Sequence, residues 1–220
     1  MKLCIVNFSG NVGKSIISQH LLKPRFENSE IIAVESINSD GTDDEKIKGK
    51  RFSAIMDKLF HHEHVIVDVG ASNVEDFLQQ MTKFIGSQDY FDYFIVPTIC
   101  KNKQITDTIA TIEALSMMGI EQNRIRVLFN MIDEDIDLEY DFREVLELQE
   151  KARISKKAMI GENELFNRLR EIEAFTTINE FANNGVDYRA LILETEEPAI
   201  RSRYVKQLGL QAWLKVLIEG

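Results

Sequence analysis

The sequence predicts an α/β fold in which a mostly parallel, twisted sheet carries helices on both faces. Short, β-branched apolar runs at residues 3–6, 31–34, 64–69, 93–96 and 125–129 alternate with stretches of helical character. Buried parallel strands have this pattern, and parallel neighbours need crossover connections between them. Ligands of such folds bind at the carboxyl ends of the strands, so we expect functional residues directly after these runs.

The helix expected after the fourth run has the clearest pattern in the chain. Ile105, Ile109 and Ile112 recur at helical spacing within residues 103–118, and Gly119 is placed to cap the C-terminal end. Such an apolar stripe is typical of a helix that packs on a sheet, so we predict a structural role for it.

The length of the chain is sufficient for a hydrophobic core without disulfides. Its 3 prolines and 11 glycines are spread over 220 residues, with no low-complexity linker and no solenoid repeat. We therefore expect a single domain over residues 1–220, with a C-terminal helical segment from about residue 162. Residues 38–50 are polar and charged, and we expect them to form a long loop.

Charge and cysteine content narrow the classes of function. The net charge of −10 argues against a protein whose whole surface binds nucleic acid. Any DNA contact therefore has to be a local patch or be made by a partner protein. Cys4 and Cys100 lack the spacing of a metal site, and we expect reduced thiols. No apolar run approaches the ~18 residues of a membrane span, and the first strand begins close to Met1. These features favour a cytoplasmic protein without a signal peptide.

A glycine-bearing loop follows the first predicted strand. Residues 7–15 read Asn-Phe-Ser-Gly-Asn-Val-Gly-Lys-Ser. In a phosphate cradle, backbone N–H groups converge on a polyanion, Lys14 neutralises phosphate oxygens and Ser15 ligates Mg²⁺. A chance Gly-Lys-Ser turn would lack the strand before it and the helix-forming residues after it. The residues expected to contact the nucleotide are Ser9, Gly10, Asn11, Val12, Gly13, Lys14, Ser15 and Ile16.

The same loop resembles the deviant Walker A motif of the ParA/MinD ATPases, which are P-loop NTPases. That motif is written Asn-x-Lys-Gly-Gly-x-Gly-Lys-Ser/Thr, and Phe8 stands where the plain Walker A motif has its first glycine. Ser9 replaces the signature lysine, which in relatives reaches across a nucleotide-sandwich dimer, and Asn11 replaces the second glycine. The resemblance implies ATP and Mg²⁺ as cofactors and an ATP-dependent homodimer.

An acid and a glycine stand at the end of the third run. Asp68 ends an apolar strand and Gly70 follows two residues later, similar to the Asp-x-Pro/Gly pattern of the same family. A carboxylate there can hold a Mg²⁺-bound water, and the Gly70 N–H can approach the γ-phosphate. Asp68 could instead cap the helix that begins near Asn73. The presence of Lys14 and Ser15 favours the metal role.

The fifth run ends in Asn130, where relatives carry an asparagine whose amide reads adenine. Asn130-Met-Ile-Asp133 also approximates the Asn-Lys-x-Asp motif that binds guanine, so GTP is kept as an alternative. Met131 in place of the lysine favours ATP. The fourth run continues into the segment Ile-Val-Pro-Thr, which ends at Thr98 and resembles the corresponding strand of the family.

Hydrolysis requires a group within reach of the attacking water. Glu35 stands where relatives begin an Asp-x-Asp segment, but Ile37 falls where the second aspartate is expected. Asp40 can substitute if the loop shifts. Lys14, Asp68 and Asp40 are therefore the expected catalytic residues.

Two charged segments are candidates for contacts with other molecules. Residues 133–150 carry nine acids against Arg143 alone, which indicates a solvated helix face or a docking surface for a basic partner. Residues 201–215 contain no acid. The cations of that segment are Arg201, Arg203, Lys206 and Lys215.

Three interpretations of the C-terminal segment stay open. In the first, apolar residues pack the last helix on the sheet while the cations face water. In the second, the cations make weak, non-specific DNA contacts, and in the third an amphipathic helix binds a membrane. The apolar residues concerned are Leu208, Leu210, Trp213, Leu214 and Leu217.

Within the ParA/MinD group the chain looks most similar to StbB-type plasmid stability proteins of conjugative plasmids. The loop, the short chain and the Val-Glu-Ser-Ile-Asn segment at residues 34–38 carry this resemblance. It implies a slow ATPase in plasmid stability, partition or conjugative transfer, with a plasmid-encoded DNA-binding partner. A nucleotide-dependent switch with negligible hydrolysis is one alternative, favoured by Ser9 and Ile37. A small-molecule ligase or kinase similar to dethiobiotin synthetase is another.

Overall fold

The protein consists of two compact units, Met1–Glu162 and Asn163–Gly220. The first contains a β-sheet, and the described part of the second is helical. The computed structural model describes the backbone of residues 1–34, 44–163 and 178–219, and side chains at residues 1–34, 51–163, 178 and 180–215.

Six strands form one sheet at the centre of the first unit. They are β1 (Lys2–Ile5), β2 (Glu30–Val34), β3 (Val65–Val69), β4 (Tyr93–Thr98), β5 (Ile125–Ile132) and β6 (Met159–Gly161). Their spatial order is β2-β3-β1-β4-β5-β6, and every pair is parallel. The predicted α/β class with a parallel sheet is confirmed. Because β1 lies between β3 and β4, the loop that leaves it is flanked by the carboxyl ends of two strands.

The first five strands coincide with the apolar runs of the sequence, whereas β6 had no such signal. β6 has 3 residues at the edge of the sheet, and Met159 and Gly161 are exposed. An edge strand of this length does not need a buried apolar run, because only one side of it pairs with a neighbour. Hydrophobic pattern therefore could not identify it.

Helices connect the strands of the first unit. The α-helices are α1 (Lys14–Ile16), α2 (Asp44–His61), α3 (Val74–Lys83), α4 (Asn102–Met117), α5 (Leu138–Asp141) and α6 (Arg143–Leu146). α1 continues as a π-helix over Ile17–Leu22 and a 3₁₀-helix over Lys23–Arg25. The predicted helix over residues 103–118 is confirmed as α4, and Gly119 follows it with φ +79°.

The predicted loop over residues 38–50 is wrong for residues 44–50, which belong to α2. The remainder of that segment, residues 38–43, lies outside the described residues. The charged start of α2 contains three lysines and one glutamate, which are strong helix formers, so polarity alone was a poor indication of a loop. Four apolar residues at helical spacing in the second half of α2 are buried, namely Phe52, Ile55, Met56 and Leu59.

The side chains of β1 alternate between the two faces of the sheet, as strand geometry requires. Cys4 belongs to the larger buried cluster, which also contains residues of α2, α3 and α4. Leu3 and Ile5 belong to a second cluster together with Ile17, which lies just after the glycine-bearing loop. Helices therefore cover both faces of the sheet, and the segment after the loop is anchored on one of them.

The described part of the second unit contains the helices α7 (Ile178–Ala182), α8 (Tyr188–Glu194) and α9 (Pro198–Glu219). The Asp187 side chain caps α8 by accepting hydrogen bonds from two backbone N–H groups. Leu210 and Leu214 of α9 are buried against Phe181 and Tyr188. The apolar side of the last helix therefore packs on α7 and α8, and the Leu217 side chain lies outside the described residues.

We expect Leu59→Ala to destabilise the protein by about 2–5 kcal/mol, because it removes a fully buried side chain of α2 and leaves a cavity. Met117→Ala, at an α4 position that is 87% exposed, is the matched control and should change stability by less than about 1 kcal/mol. Urea unfolding of the three proteins measures both changes. Equal stabilities for the two variants would contradict the assignment of residue 59 to the core.

Candidate nucleotide-binding site

The glycine-bearing loop runs from the end of β1 to α1, and its conformation depends on Gly13. Gly13 has φ +88°, in the left-handed region that favours glycine. A Cβ atom at this position would lie 2.3 Å from the Nδ2 atom of Asn130. Backbone conformation and the lack of space therefore both require glycine. Asn11 also has a positive φ, of 59°, which asparagine tolerates better than most residues.

Lys14 folds back into the loop that precedes it. Its Nζ atom donates hydrogen bonds to the carbonyl oxygens of Asn7, at 3.1 Å, and Ser9, at 2.7 Å. The residue is only 8% exposed, and this burial lowers the pKa of the Lys14 ammonium to about 8, although the nearby negative charge of Asp68 opposes the shift. The loop thus holds a buried ammonium group that can be offered to an anion.

Asp68 lies beside the start of the loop. It is the partner of Ile5 in the pairing of β3 with β1, and it is buried. α3 begins at Val74 with Asn73 as its N-cap, so Asp68, which lies within β3, does not occupy the N-cap position of that helix. The negative charge of Asp68 therefore lies close enough to the Lys14 ammonium to act on its pKa.

The Gly70 N–H, predicted to face the γ-phosphate, donates a hydrogen bond to the carbonyl oxygen of Val34 at 3.0 Å. A Cβ atom at residue 70 would lie 3.0 Å from that same oxygen, so the close contact with the end of β2 requires a small residue. Phosphate contact at Gly70 remains a prediction, and it would require this hydrogen bond to be shared or exchanged.

Asn130 closes the loop from the side of β5. Its Nδ2 atom donates to the carbonyl oxygen of Val12 at 2.9 Å, and the residue is buried. The register of β5 with β6 shifts between Phe129 and Ile132, and Met131 has φ +55°. Irregularities of this kind redirect side chains at functional sites. The asparagine side chain therefore contacts the glycine-bearing loop, and its contact with a base remains a prediction.

Helix α4 and strand β4 hold the first half of the loop. The Asn7 Nδ2 atom donates to the Pro97 carbonyl oxygen and to Thr108 Oγ1, both at 2.8 Å. The Phe8 N–H donates to Thr111 Oγ1 at 3.1 Å. Neither threonine was predicted to contact the loop. Their signal was two hydroxyl residues on the apolar side of α4, where core residues are expected.

The other predicted contact residues differ in exposure. Gly10, Asn11 and Ser15 are exposed, Ile16 is partly exposed, and Val12 and Ser9 are buried. A Cβ atom at Gly10 would approach another atom no closer than 4.0 Å, so space alone does not require this glycine. Glu35, Ile37 and Asp40, which were expected to supply or replace the group that orients water, lie outside the described residues.

The chemistry of the available donors fits Mg²⁺ held with a phosphate ligand. Ser15 offers an exposed hydroxyl, and Asp68 a carboxylate at the neighbouring strand end. Mg²⁺ in nucleotide sites keeps waters and phosphate oxygens and needs only one or two protein ligands. In the described part of the chain no group of three His, Cys, Asp or Glu residues could hold a metal ion by itself.

The acidic segment over residues 133–150 contains two short helices, α5 and α6. Phe142, which lies between them, and Val145 of α6 are buried. Most of its acids are exposed, as a solvated surface requires. Asp137 caps α5 by accepting from two backbone N–H groups. At least one acid of this segment, Asp137, therefore stabilises the local helical structure.

The four cations of α9 do not share one face of the helix, although all are exposed. At 100° per residue, Arg203 lies about 160° around the helix from Arg201. Lys206 falls on the side of Arg203, within about 60°, and Lys215 on the side of Arg201, within about 40°. A continuous basic stripe along this helix is thus excluded by geometry. Among the described residues, no helix is both long and apolar enough to cross a membrane.

Comparison with known proteins identifies the fold. No family model matches the sequence, and no curated protein has significant sequence similarity to it. Among solved structures, the chain is similar to an aspartate-to-alanine variant of McdA from Cyanothece in complex with ATP, with a TM-score of 0.50 and 13% sequence identity over 96% of both chains. The chain therefore shares the α/β fold of this McdA structure.

We expect the stability of the wild type, relative to Lys14→Met, to rise with pH above about 8. The pKa of Lys14 is lowered in the folded state, so between about pH 8 and 10.4 the unfolded chain binds more protons and higher pH favours folding. The gain between pH 7.5 and 9.5 should reach about 2 kcal/mol. Urea unfolding at the two pH values measures it.

Lys157→Met, which alters an exposed lysine, is the control and should follow the wild type at both pH values. The same pH dependence for the Lys14→Met and Lys157→Met proteins would show that burial of the Lys14 ammonium does not reduce the free energy of unfolding.

Proposed function

We propose that the chain binds ATP with Mg²⁺ at the loop of residues 7–15 and hydrolyses it slowly. The observation that carries this proposal is that the loop carbonyls enclose the Lys14 ammonium beside the buried Asp68. Gly13, which precedes this lysine, has the left-handed backbone conformation that lets the loop close. An ammonium group that is removed from water at a strand end is stabilised when an anion binds beside it. The arrangement is therefore suited to anion binding. The ATP bound in the structurally similar McdA complex supports a nucleotide as that anion.

The proposal assigns a role to each of the site residues. Lys14 exchanges its two carbonyl partners for oxygens of the β- and γ-phosphates, which offer a full negative charge in place of two dipoles. Ser15 and Asp68 hold Mg²⁺, directly or through water, and the metal supplies neutralisation of the phosphate charge. The N–H groups of the loop complete the cradle. Asp40 or a neighbouring residue orients the attacking water.

Asn130 is the proposed contact to the base. Its Nδ2 atom is engaged by the Val12 carbonyl, so its Oδ1 atom is the group available to accept from the exocyclic amine of adenine. Guanine offers a carbonyl oxygen at that position instead of an amine. This difference favours ATP over GTP.

Slow turnover is proposed because the loop carries a single cation. Within residues 7–15 only Lys14 is basic, and Ser9, at the position of the signature lysine, is buried. A developing charge on the γ-phosphate is therefore stabilised by fewer fixed cations than in enzymes with a second one. The same observation supports the alternative of a nucleotide-dependent switch with negligible hydrolysis.

We further propose that the ATPase acts in plasmid stability, partition or conjugative transfer, as the resemblance to StbB-type proteins implies. Arg201 and Arg203 lie on opposite sides of α9, so this helix alone can neutralise few phosphates of one DNA duplex. A DNA-binding partner is therefore the proposed route to DNA. The exposed acids of residues 133–150 are suited to a basic partner, and an ATP-dependent homodimer is part of the same proposal.

We expect ATP with Mg²⁺ to stabilise the wild type by about 2–3 kcal/mol at about a hundredfold excess over Kd, because ATP binds only the folded state. Lys14→Ala should lose this stabilisation, whereas Lys157→Ala, an exposed lysine variant, should keep it. Thermal unfolding with and without nucleotide measures the effect. Equal shifts for all three proteins would refute the site, and a larger shift with GTP would overturn the proposed role of Asn130.

We expect wild-type turnover on the order of 10⁻³ s⁻¹, similar to nucleotide hydrolases that lack a second cation at the γ-phosphate. Asp68→Ala should lower it at least about tenfold, because the Mg²⁺ shell loses its carboxylate. Glu75→Ala, an exposed acid early in α3, is the control and should leave turnover unchanged. Phosphate release is the measurement. An Asp68→Ala protein as active as the control would remove Asp68 from the mechanism.

A further inference from the structure

The side chain of Asn7, which follows β1, is fully buried and makes three hydrogen bonds. Its Nδ2 atom donates to the Pro97 carbonyl oxygen and to Thr108 Oγ1, both at 2.8 Å. Its Oδ1 atom accepts from the Ser9 N–H at 2.7 Å. A buried amide group is stable only when its polar atoms are bonded, so strand β4 and helix α4 fix the orientation of this side chain. The fixed amide in turn fixes the direction of the Ser9 N–H.

Thr111 presents an oxygen lone pair to the loop. Its hydroxyl donates to the carbonyl oxygen four residues earlier in α4, at 2.6 Å, and accepts from the Phe8 N–H at 3.1 Å. A hydroxyl has a single hydrogen, and the helix carbonyl uses it, so towards the loop Thr111 can only accept. Thr108 is bonded to the carbonyl oxygen four residues before it, at 2.7 Å, and to Thr98 Oγ1 of β4, at 3.0 Å. Bonds outside the loop therefore fix both hydroxyl groups.

The orientation of one peptide group connects Thr111 to Lys14. The Asn7 carbonyl and the Phe8 N–H belong to the same peptide group, and in a planar trans peptide they point in opposite directions. Because Thr111 binds the N–H from the side of α4, the carbonyl is directed away from that helix, where it accepts from Lys14 Nζ at 3.1 Å. The Ser9 carbonyl is the other acceptor, at 2.7 Å. Lys14 is therefore held by carbonyls whose directions depend on α4.

We propose that Thr108 and Thr111 are positioning residues for the Lys14 ammonium, and that the loop is divided into two parts. Residues 7–9 hold the lysine with carbonyl oxygens, while residues 10–15 supply N–H groups to the phosphates. In contrast to the expectation from the sequence, Ser9 does not contact the nucleotide, because the protein uses both its N–H and its carbonyl. The inference rests on the proposed ATP site and adds the way in which α4 controls the position of its cation.

The test is the affinity for ATP with Mg²⁺, measured by isothermal titration. Thr111→Val keeps the shape of the side chain but removes the acceptor, so the Phe8 N–H turns to another partner and the Asn7 carbonyl turns with it. A smaller fraction of molecules then holds Lys14 in place, and the apparent Kd rises by the inverse of that fraction. We expect binding to weaken about three- to tenfold, the range of one net hydrogen bond.

Thr108→Val should weaken ATP binding to a similar extent, because the Asn7 side chain loses its acceptor on α4. Thr108→Ser and Thr111→Ser keep the hydroxyl groups and should bind within about twofold of the wild type. Recovery with serine but not with valine would identify the hydroxyl, rather than the volume of the side chain, as the group that acts.

Two controls separate positioning from general damage to the fold. Thr106→Val alters an exposed threonine of the same helix, whose hydroxyl also donates to the carbonyl oxygen four residues earlier, at 3.0 Å. Within the described residues, its hydroxyl makes no hydrogen bond to the loop. Leu59→Ala removes a buried side chain of α2 and should lower stability more than the loss of one hydroxyl does. Both variants should bind ATP within about twofold of the wild type.

Ser9→Ala tests the division of the loop. The variant keeps the N–H that is bonded to Asn7 and the carbonyl that is bonded to Lys14. Its affinity for ATP should therefore stay within about twofold of the wild type. A loss as large as that of Thr111→Val would show that the serine side chain takes part in binding, and would overturn the division.

Valine variants at residues 108 and 111 that bind ATP as tightly as the wild type would overturn the proposal, as would an equal loss for Leu59→Ala. If the valine variants do not fold, hydrogen exchange of the wild type decides the question. The amides of Phe8 and Ser9 should exchange at least about tenfold more slowly than unprotected peptides, and fast exchange would refute their bonds to Thr111 and Asn7. A wild type that does not bind ATP would refute the proposed function itself.

Discussion

The candidate nucleotide site depends on the burial of one positive charge. An ammonium group taken out of water needs oxygen partners, and the Lys14 Nζ atom finds them in the carbonyls of Asn7 and Ser9. Those carbonyls can face inward only because the loop is tied from outside, through the Asn7 side chain to β4 and α4 and through Asn130 to β5. The conformation of Gly13 follows from the same closure, since any side chain there would displace Asn130.

The parallel sheet is what makes this closure possible. β1 lies in the interior of the sheet, so its carboxyl end is bordered by the ends of β3 and β4, and β5 is one strand further. Asp68 reaches the site because it pairs with Ile5 in the register of β3 and β1. A loop after an edge strand would have such neighbours on one side only. The site therefore draws on residues far apart in the chain that strand order brings to one edge.

Helix α4 ties the first half of the loop to the core. Thr108 Oγ1 accepts a hydrogen bond from the Asn7 side chain, and Thr111 Oγ1 accepts one from the Phe8 N–H. Both threonines are buried. Because the carbonyls of Asn7 and Ser9 hold the Lys14 ammonium, these contacts help to fix the loop conformation on which the buried charge depends.

The sequence alone determined the α/β class, five of the six strands, helix α4 and the placement of Lys14 in the glycine-bearing loop, because hydrophobic period and local loop chemistry are encoded by near neighbours. It did not reveal β6, the helical start of α2 or the division of the α9 cations between two sides. Nor did it identify Thr108 and Thr111 as partners of the loop. Only the tertiary structure decided these, because they depend on which strand lies beside which and on the direction of each side chain in space, and a linear spacing contains neither.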